Sequence, residues 1–169
     1  VVSTEGDMII ENIRVTPANG LSNLYRKLKI VTGATSLVST DSNSFVLLDS
    51  TAGVTLTMPD CTASTIGFNI DLVIKTESSG GYSIDVSNGS NDIFSGFLFV
   101  TDDTTAKTNS VALVSNANII YLKAGDGTKP GAVGSNVKII CKAADQYFVK
   151  GSILSTVDGA SGSAQSAAI

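Results

Sequence analysis

A two-residue hydrophobic period recurs along this chain, and no other property restricts its fold as much. In residues 45–60, FVLLDSTAGVTLTMPD, Val54, Leu56 and Met58 share one face and Thr55 and Thr57 the other. Phe45 and Leu47 alternate with Val46 and Leu48 in the same way. A period of two places successive side chains on opposite faces of a strand, one buried and one wet. The segment reads as two short strands joined by a turn at residues 50–53, with Pro59 closing the second because it has no N–H to donate.

The pattern repeats downstream. Residues 68–76, FNIDLVIKT, put Phe68, Ile70, Leu72 and Ile74 on one side. Ser78-Ser79-Gly80-Gly81 reads as a hairpin turn, and Tyr82, Ile84 and Val86 form the inward face of a return strand. Asn88-Gly89 is a favoured turn pair. Residues 97–100, FLFV, are a compact apolar run, read as a buried strand or as an exposed patch that marks an interface. Val111–Val114 and Ile119–Lys123 are further strands. Val137–Lys142 and Gln146–Lys150 form a last hairpin around residues 143–145. The total is about nine or ten short strands with no convincing helix, the signature of an all-β chain. The expected architecture is an antiparallel β-sandwich or open barrel with an N-terminal extended arm.

Residues 1–36 stand apart as an arm or small β subdomain. Met8, Ile9, Ile10, Ile13 and Val15 read as a first strand. Residues 16–20 are a turn cluster. Residues 21–31, LSNLYRKLKIV, are read as a strand after that turn, although Leu21, Leu24 and Leu28 also fit a helical stripe. Residues 37–152 form the main module. Residues 153–169 end in DGASGSAQSAAI, a low-complexity tail expected to be held by a larger particle or a neighbouring subunit.

Composition narrows the functional classes. Only 15% of residues are charged, against about 25% in an ordinary soluble domain, so Ser, Thr, Asn and Gly carry the polar surface. The net charge is −4 and the densest basic cluster is Arg26-Lys27-Leu28-Lys29. Phosphate-backbone binding draws on many lysines and arginines together, so no nucleic-acid partner is expected. No apolar run reaches the ~20 residues of a membrane helix, so no membrane partner is expected either. The N-terminus does not read as an export signal, which favours assembly inside a cell and release with a particle. Cys61 and Cys141 are read as buried thiols, with pairing across the fold as the alternative.

The chain has no histidine. That removes Ser-His-Asp and Cys-His catalysis and the commonest metal ligand. The segment Gly125-Asp126-Gly127-Thr128-Lys129 lacks phosphate-loop spacing. Asp41-Ser42-Asn43 and Asp102-Asp103 lack a full set of calcium ligands. The expectation is a protein that is not an enzyme, with no catalytic set, cofactor or metal site.

Residues 41–59, DSNSFVLLDSTAGVTLTMP, resemble a β module of tailed-phage virion structural proteins. So do Gly67-Phe68-Asn69-Ile70-Asp71-Leu72, Gly81-Tyr82-Ser83-Ile84, the turn-like Asp92-Ile93-Phe94-Ser95-Gly96, and the closing Tyr147-Phe148-Val149-Lys150-Gly151. The resemblance covers roughly residues 37–152. It departs from the pattern in lacking Trp, which relatives often carry in the closing strand. It implies a capsid decoration (cement) protein, head fibre or tail-fibre domain located on the virion surface, typically a homotrimer whose partner is the major capsid protein. The expected subunit interface is Phe97, Leu98, Phe99 and Val100. The expected capsid-binding arm carries Met8, Ile9, Ile10, Leu24, Tyr25 and Arg26. The alternative is a receptor-binding fibre module that takes a host-surface glycan at the loops 101–110 and 125–134.

Overall fold

The computed structural model describes residues 8–10, 13–15, 26–86, 91–102, 108–123 and 131–155. These residues form strands β1 (Met8–Ile10), β2 (Ile13–Val15), β3 (Lys27–Val31), β4 (Thr35–Ser36), β5 (Ser44–Leu48), β6 (Val54–Thr57) and β7 (Asn69–Ile74). They continue as β8 (Tyr82–Asp85), β9 (Ile93–Asp102), β10 (Thr108–Ala117), β11 (Ile119–Leu122), β12 (Asn136–Ala143) and β13 (Gln146–Ser155). A 3-10 turn spans Ser39–Asp41. The architecture is all-β: a seven-stranded sheet, in the order β10-β9-β13-β12-β7-β5-β3, packs on a four-stranded sheet, β11-β8-β6-β4.

Both sheets are mixed, not purely antiparallel. Strands β3, β5 and β7 run parallel in the long sheet, and β4, β6 and β8 run parallel in the short one. The chain alternates between sheets, β3 to β4, β5 to β6, β7 to β8, so this region is a flat coil. Parallel neighbours need a long crossover, and here the strand in the opposite sheet supplies it.

The two expected hairpins are therefore corners. The segment between β5 and β6, and the one between β7 and β8, each carry the chain across the sandwich. The corners stack on each other: Ser79 N–H donates to Thr51 O at 3.1 Å, Val54 N–H to Gly81 O at 3.1 Å, and the Ser78 hydroxyl to Ala52 O at 2.6 Å. A Cβ on Gly80 would lie 2.6 Å from Gly53 Cα, so the stacking requires glycine there. Tyr82 secures the same end, accepting from Ser50 N–H at 2.9 Å while its hydroxyl lies 2.7 Å from Thr76 O.

The remaining strands complete the sheets. β9 and β10 pair antiparallel, β11 closes the short sheet beside β8, and the β12–β13 hairpin fills the gap between β7 and β9. That hairpin is the expected one, with Asp145 at positive φ in its turn. Gly96 does not make a turn; it lies inside β9, where the β13 backbone comes close.

Alternation fills the core as expected. Ile70, Leu72 and Ile74 of β7 face Ile84 and Tyr82 of β8 from the opposite sheet, all at most 2% exposed. Cys61 and Cys141 form a disulfide, which corrects the thiol reading; it ties the loop after β6 to β12 across a sequence separation of 80. Residues 27–36 also belong to the sandwich, because β3 pairs with β5 and β4 with β6. The sandwich therefore takes in described residues on the N-terminal side of the boundary expected at residue 36. At the other end Ile153 is core and β13 runs to Ser155, so the module extends past residue 152. Asn88-Gly89, Leu21, Leu24, Tyr25, residues 103–107 and 124–130, and the tail 156–169 lie outside the described residues.

Candidate docking surface

The two outer faces of the sandwich differ in chemistry. On the short sheet the outward residues include Thr55, Thr57, Ser83, Asp85 and Tyr121. Thr55 and Ser83 are paired in register and their hydroxyls lie 2.9 Å apart. Short hydroxyl side chains on a pleated face leave it well hydrated.

The long sheet presents a different surface. Register fixes one row straight across it: Leu28, Phe45, Asp71, Lys138, Lys150 and Phe97. The adjacent row is Ile30, Leu47, Val73, Asn136, Ser152 and Phe99. Leu28, Ile30 and Phe99 are 61%, 53% and 46% exposed. Phe97 meets Phe99 edge-on at a centroid distance of 5.3 Å, and Phe148 at 6.2 Å. Two shallow grooves, of about 380 Å³ and about 240 Å³, cross the middle of the face and share Asp71 and Asn136. Large apolar side chains left exposed at both ends of the face make it a candidate interaction surface.

The polar centre is arranged by Arg26. Its guanidinium pairs with Asp71 on β7 and donates to Ser44 O on β5 at 3.0 Å. Lys138 and Lys150 stand directly opposite each other on β12 and β13, and among the described residues neither has an ion-pair partner. Facing like charges cost stability. At the margin of the face Lys75 holds Asp49 at 2.6 Å, and on the other side of β3 Lys29 holds Asp41 at 2.7 Å. Burial alone would raise the Asp41 carboxyl, but the Lys29 ammonium and the Val38 N–H outweigh it and hold it below its usual value.

Of the four residues expected at a subunit interface, the sheet separates two from two. Phe97 and Phe99 face outward, whereas Leu98 and Val100 are 5% and 2% exposed and belong to the core. Alternation along β9 requires this split. Of the expected arm, Met8, Ile9 and Ile10 form β1, and Arg26 is the clamp at the start of the sandwich. Leu28, Ile30, Phe45 and Leu47 were missed as surface residues. Their signal was available, because each lies out of phase with a core residue on the same strand. Among the described residues no group of three or more His, Cys, Asp and Glu side chains could hold a metal ion, and no helix is long and apolar enough to cross a membrane. No protein-family model, no curated protein and no solved structure matches the chain.

Proposed function

We propose that this protein is a non-catalytic structural component of a phage particle, a homotrimeric decoration protein seated on the outer surface of the capsid. The observation that carries the reading is the separateness of β1 and β2. Among the described residues they pair only with each other, Met8 with Val15 and Ile10 with Ile13, in a two-stranded sheet that shares no ladder with either sheet of the sandwich. The three bonds of Arg26 fasten the start of β3 to its neighbours in the sandwich. An apolar element, MII followed by IRV, thus precedes a module that already has its own core. Such an element suits docking on a larger body, here the major capsid protein. The Thr- and Ser-rich outer face of the short sheet suits exposure on a particle.

The test is co-sedimentation with purified capsids, followed by heating of the loaded particles. The wild-type protein is expected to bind and to raise the temperature at which particles burst. The double variant Ile9→Asp, Ile10→Asp is expected to keep its folding transition and lose binding. Equal binding by the variant would overturn the assignment of the arm. Binding without any change in burst temperature, together with reduced host adsorption when the protein is absent, would replace cementing with display.

A further inference from the structure

We infer that the outer face of the long sheet is a self-association surface, on which the β3–β5–β7 half of one copy packs against the β13–β9 half of the next. The inference rests on the reading of the protein as a self-assembling component, and it adds which surface joins the copies and how.

The face is about 25 Å wide at ~4.8 Å per strand. It leaves large apolar side chains in water at both ends, while the other outer face of the same molecule exposes mainly hydroxyl residues. The two ends are unlike. One is mainly aliphatic, with Leu28, Ile30 and Leu47 beside Phe45, and has Asp71 at its inner margin. The other is aromatic, with Phe97, Phe99 and Phe148, and has Lys138 and Lys150 at its inner margin.

Packing like on like would press the unpaired lysines of one copy onto the same lysines of another, where expelled solvent makes repulsion costly. Packing unlike halves sets Lys150 against Asp71 instead and leaves only Lys138, on the central strand, opposite itself. Strand β12 is the middle strand of the seven. Asp71 lies one strand to one side of it and Lys150 one strand to the other; Phe45 and Phe97 lie two strands away on those same sides. A register that sets Phe45 over Phe97 therefore also sets Asp71 over Lys150. Asp71 keeps its second carboxylate oxygen for this contact, since the Arg26 bond uses only Oδ2. Among the described residues, Asp49 at the margin of this face is already held by Lys75.

The experiment uses the whole chain without capsids, so its outcome is independent of whether the protein decorates a head. Light scattering coupled to size exclusion is expected to show an oligomer for the wild type. Leu47→Asp disables one half and Phe99→Asp the other; each alone is expected to run as a monomer. An equimolar mixture of the two is expected to form a heterodimer, because each variant keeps the half that the other has lost. Lys150→Glu, at an exposed position that the fold does not need, is expected to weaken association at least tenfold. A monomeric wild type would overturn the inference and assign the face to another partner. So would an oligomer indifferent to all three substitutions, or a mixture that fails to form the heterodimer.

Discussion

Two buried polar side chains show how differently single residues are tolerated in this core. The Ser44 hydroxyl lies 1% exposed with no hydrogen-bond partner. A buried unbonded hydroxyl costs about 1–3 kcal/mol, so Ser44→Ala is expected to stabilise the protein by about 1 kcal/mol, read from the urea midpoint. Tyr147 is the opposite case. Its hydroxyl donates to Pro59 O at 2.6 Å, and its ring packs on Phe94. Tyr147→Phe is expected to cost about 1 kcal/mol by the same measurement. Burial, and then the charges of Asp92 and Asp60, push the Tyr147 phenol well above its ordinary value. The folded state therefore keeps its proton while the unfolded chain releases it near pH 10. This contribution is full below about pH 10 and is lost as pH rises beyond it. The alkaline fall in stability is expected to be shallower in Tyr147→Phe.

Among the strands, β9 is the one most sensitive to a single added carbon. Gly96 sits at φ 150° opposite Val149 in the parallel β9–β13 pairing, and a Cβ there would fall 1.8 Å from Val149 O. Gly96→Ala is expected to cost about 3 kcal/mol or more, whereas Gly33→Ala, which meets nothing within 4 Å, should stay within about 0.5 kcal/mol. Chemical denaturation of both variants checks the contrast. The same strands separate what the sequence could tell from what it could not. Alternation reports the face of a residue, and for Phe68, Ile70, Leu72, Ile74 and Ile84 that reading was right. It does not report the partner strand. The residues between β5 and β6 serve a hairpin or a sheet-to-sheet corner equally well, because both leave the inward residues in phase. What distinguishes them is Gly80 against Gly53, a contact between distant corners that no local pattern encodes. The docking face was half legible for the same reason. The run Phe97–Val100 drew attention as a block, but a strand divides such a block, and the aliphatic half lay hidden in β3 and β5 as residues out of phase with the core.

At the scale of the whole molecule, the long sheet is continuous only because the β12–β13 hairpin stands between the coil and the β9–β10 pair. Nothing in the coil itself, β3 to β8, requires that hairpin: its strands already pair with each other in both layers. The disulfide from Cys61 to Cys141 crosses this junction, linking the segment between β6 and β7 to β12. Closing a loop of that length restricts the unfolded chain by about 4–5 kcal/mol in the chain-entropy account. Both sulfurs lie in the core, so replacing them with small apolar residues removes the link with little change in polarity. Cys61→Ala, Cys141→Ala is accordingly expected to fold and to lose about 4 kcal/mol or somewhat more, since the alanines also leave small cavities. The loss should not be uniform. Opening that releases β12 and β13 also frees β9 from its parallel neighbour, while the coil retains its own ladders. Amide hydrogen exchange is expected to accelerate in β9, β12 and β13 well before β5, β6 and β8. Equal acceleration throughout would mean that the coil and the hairpin are one cooperative unit, and that the disulfide acts on the unfolded chain alone.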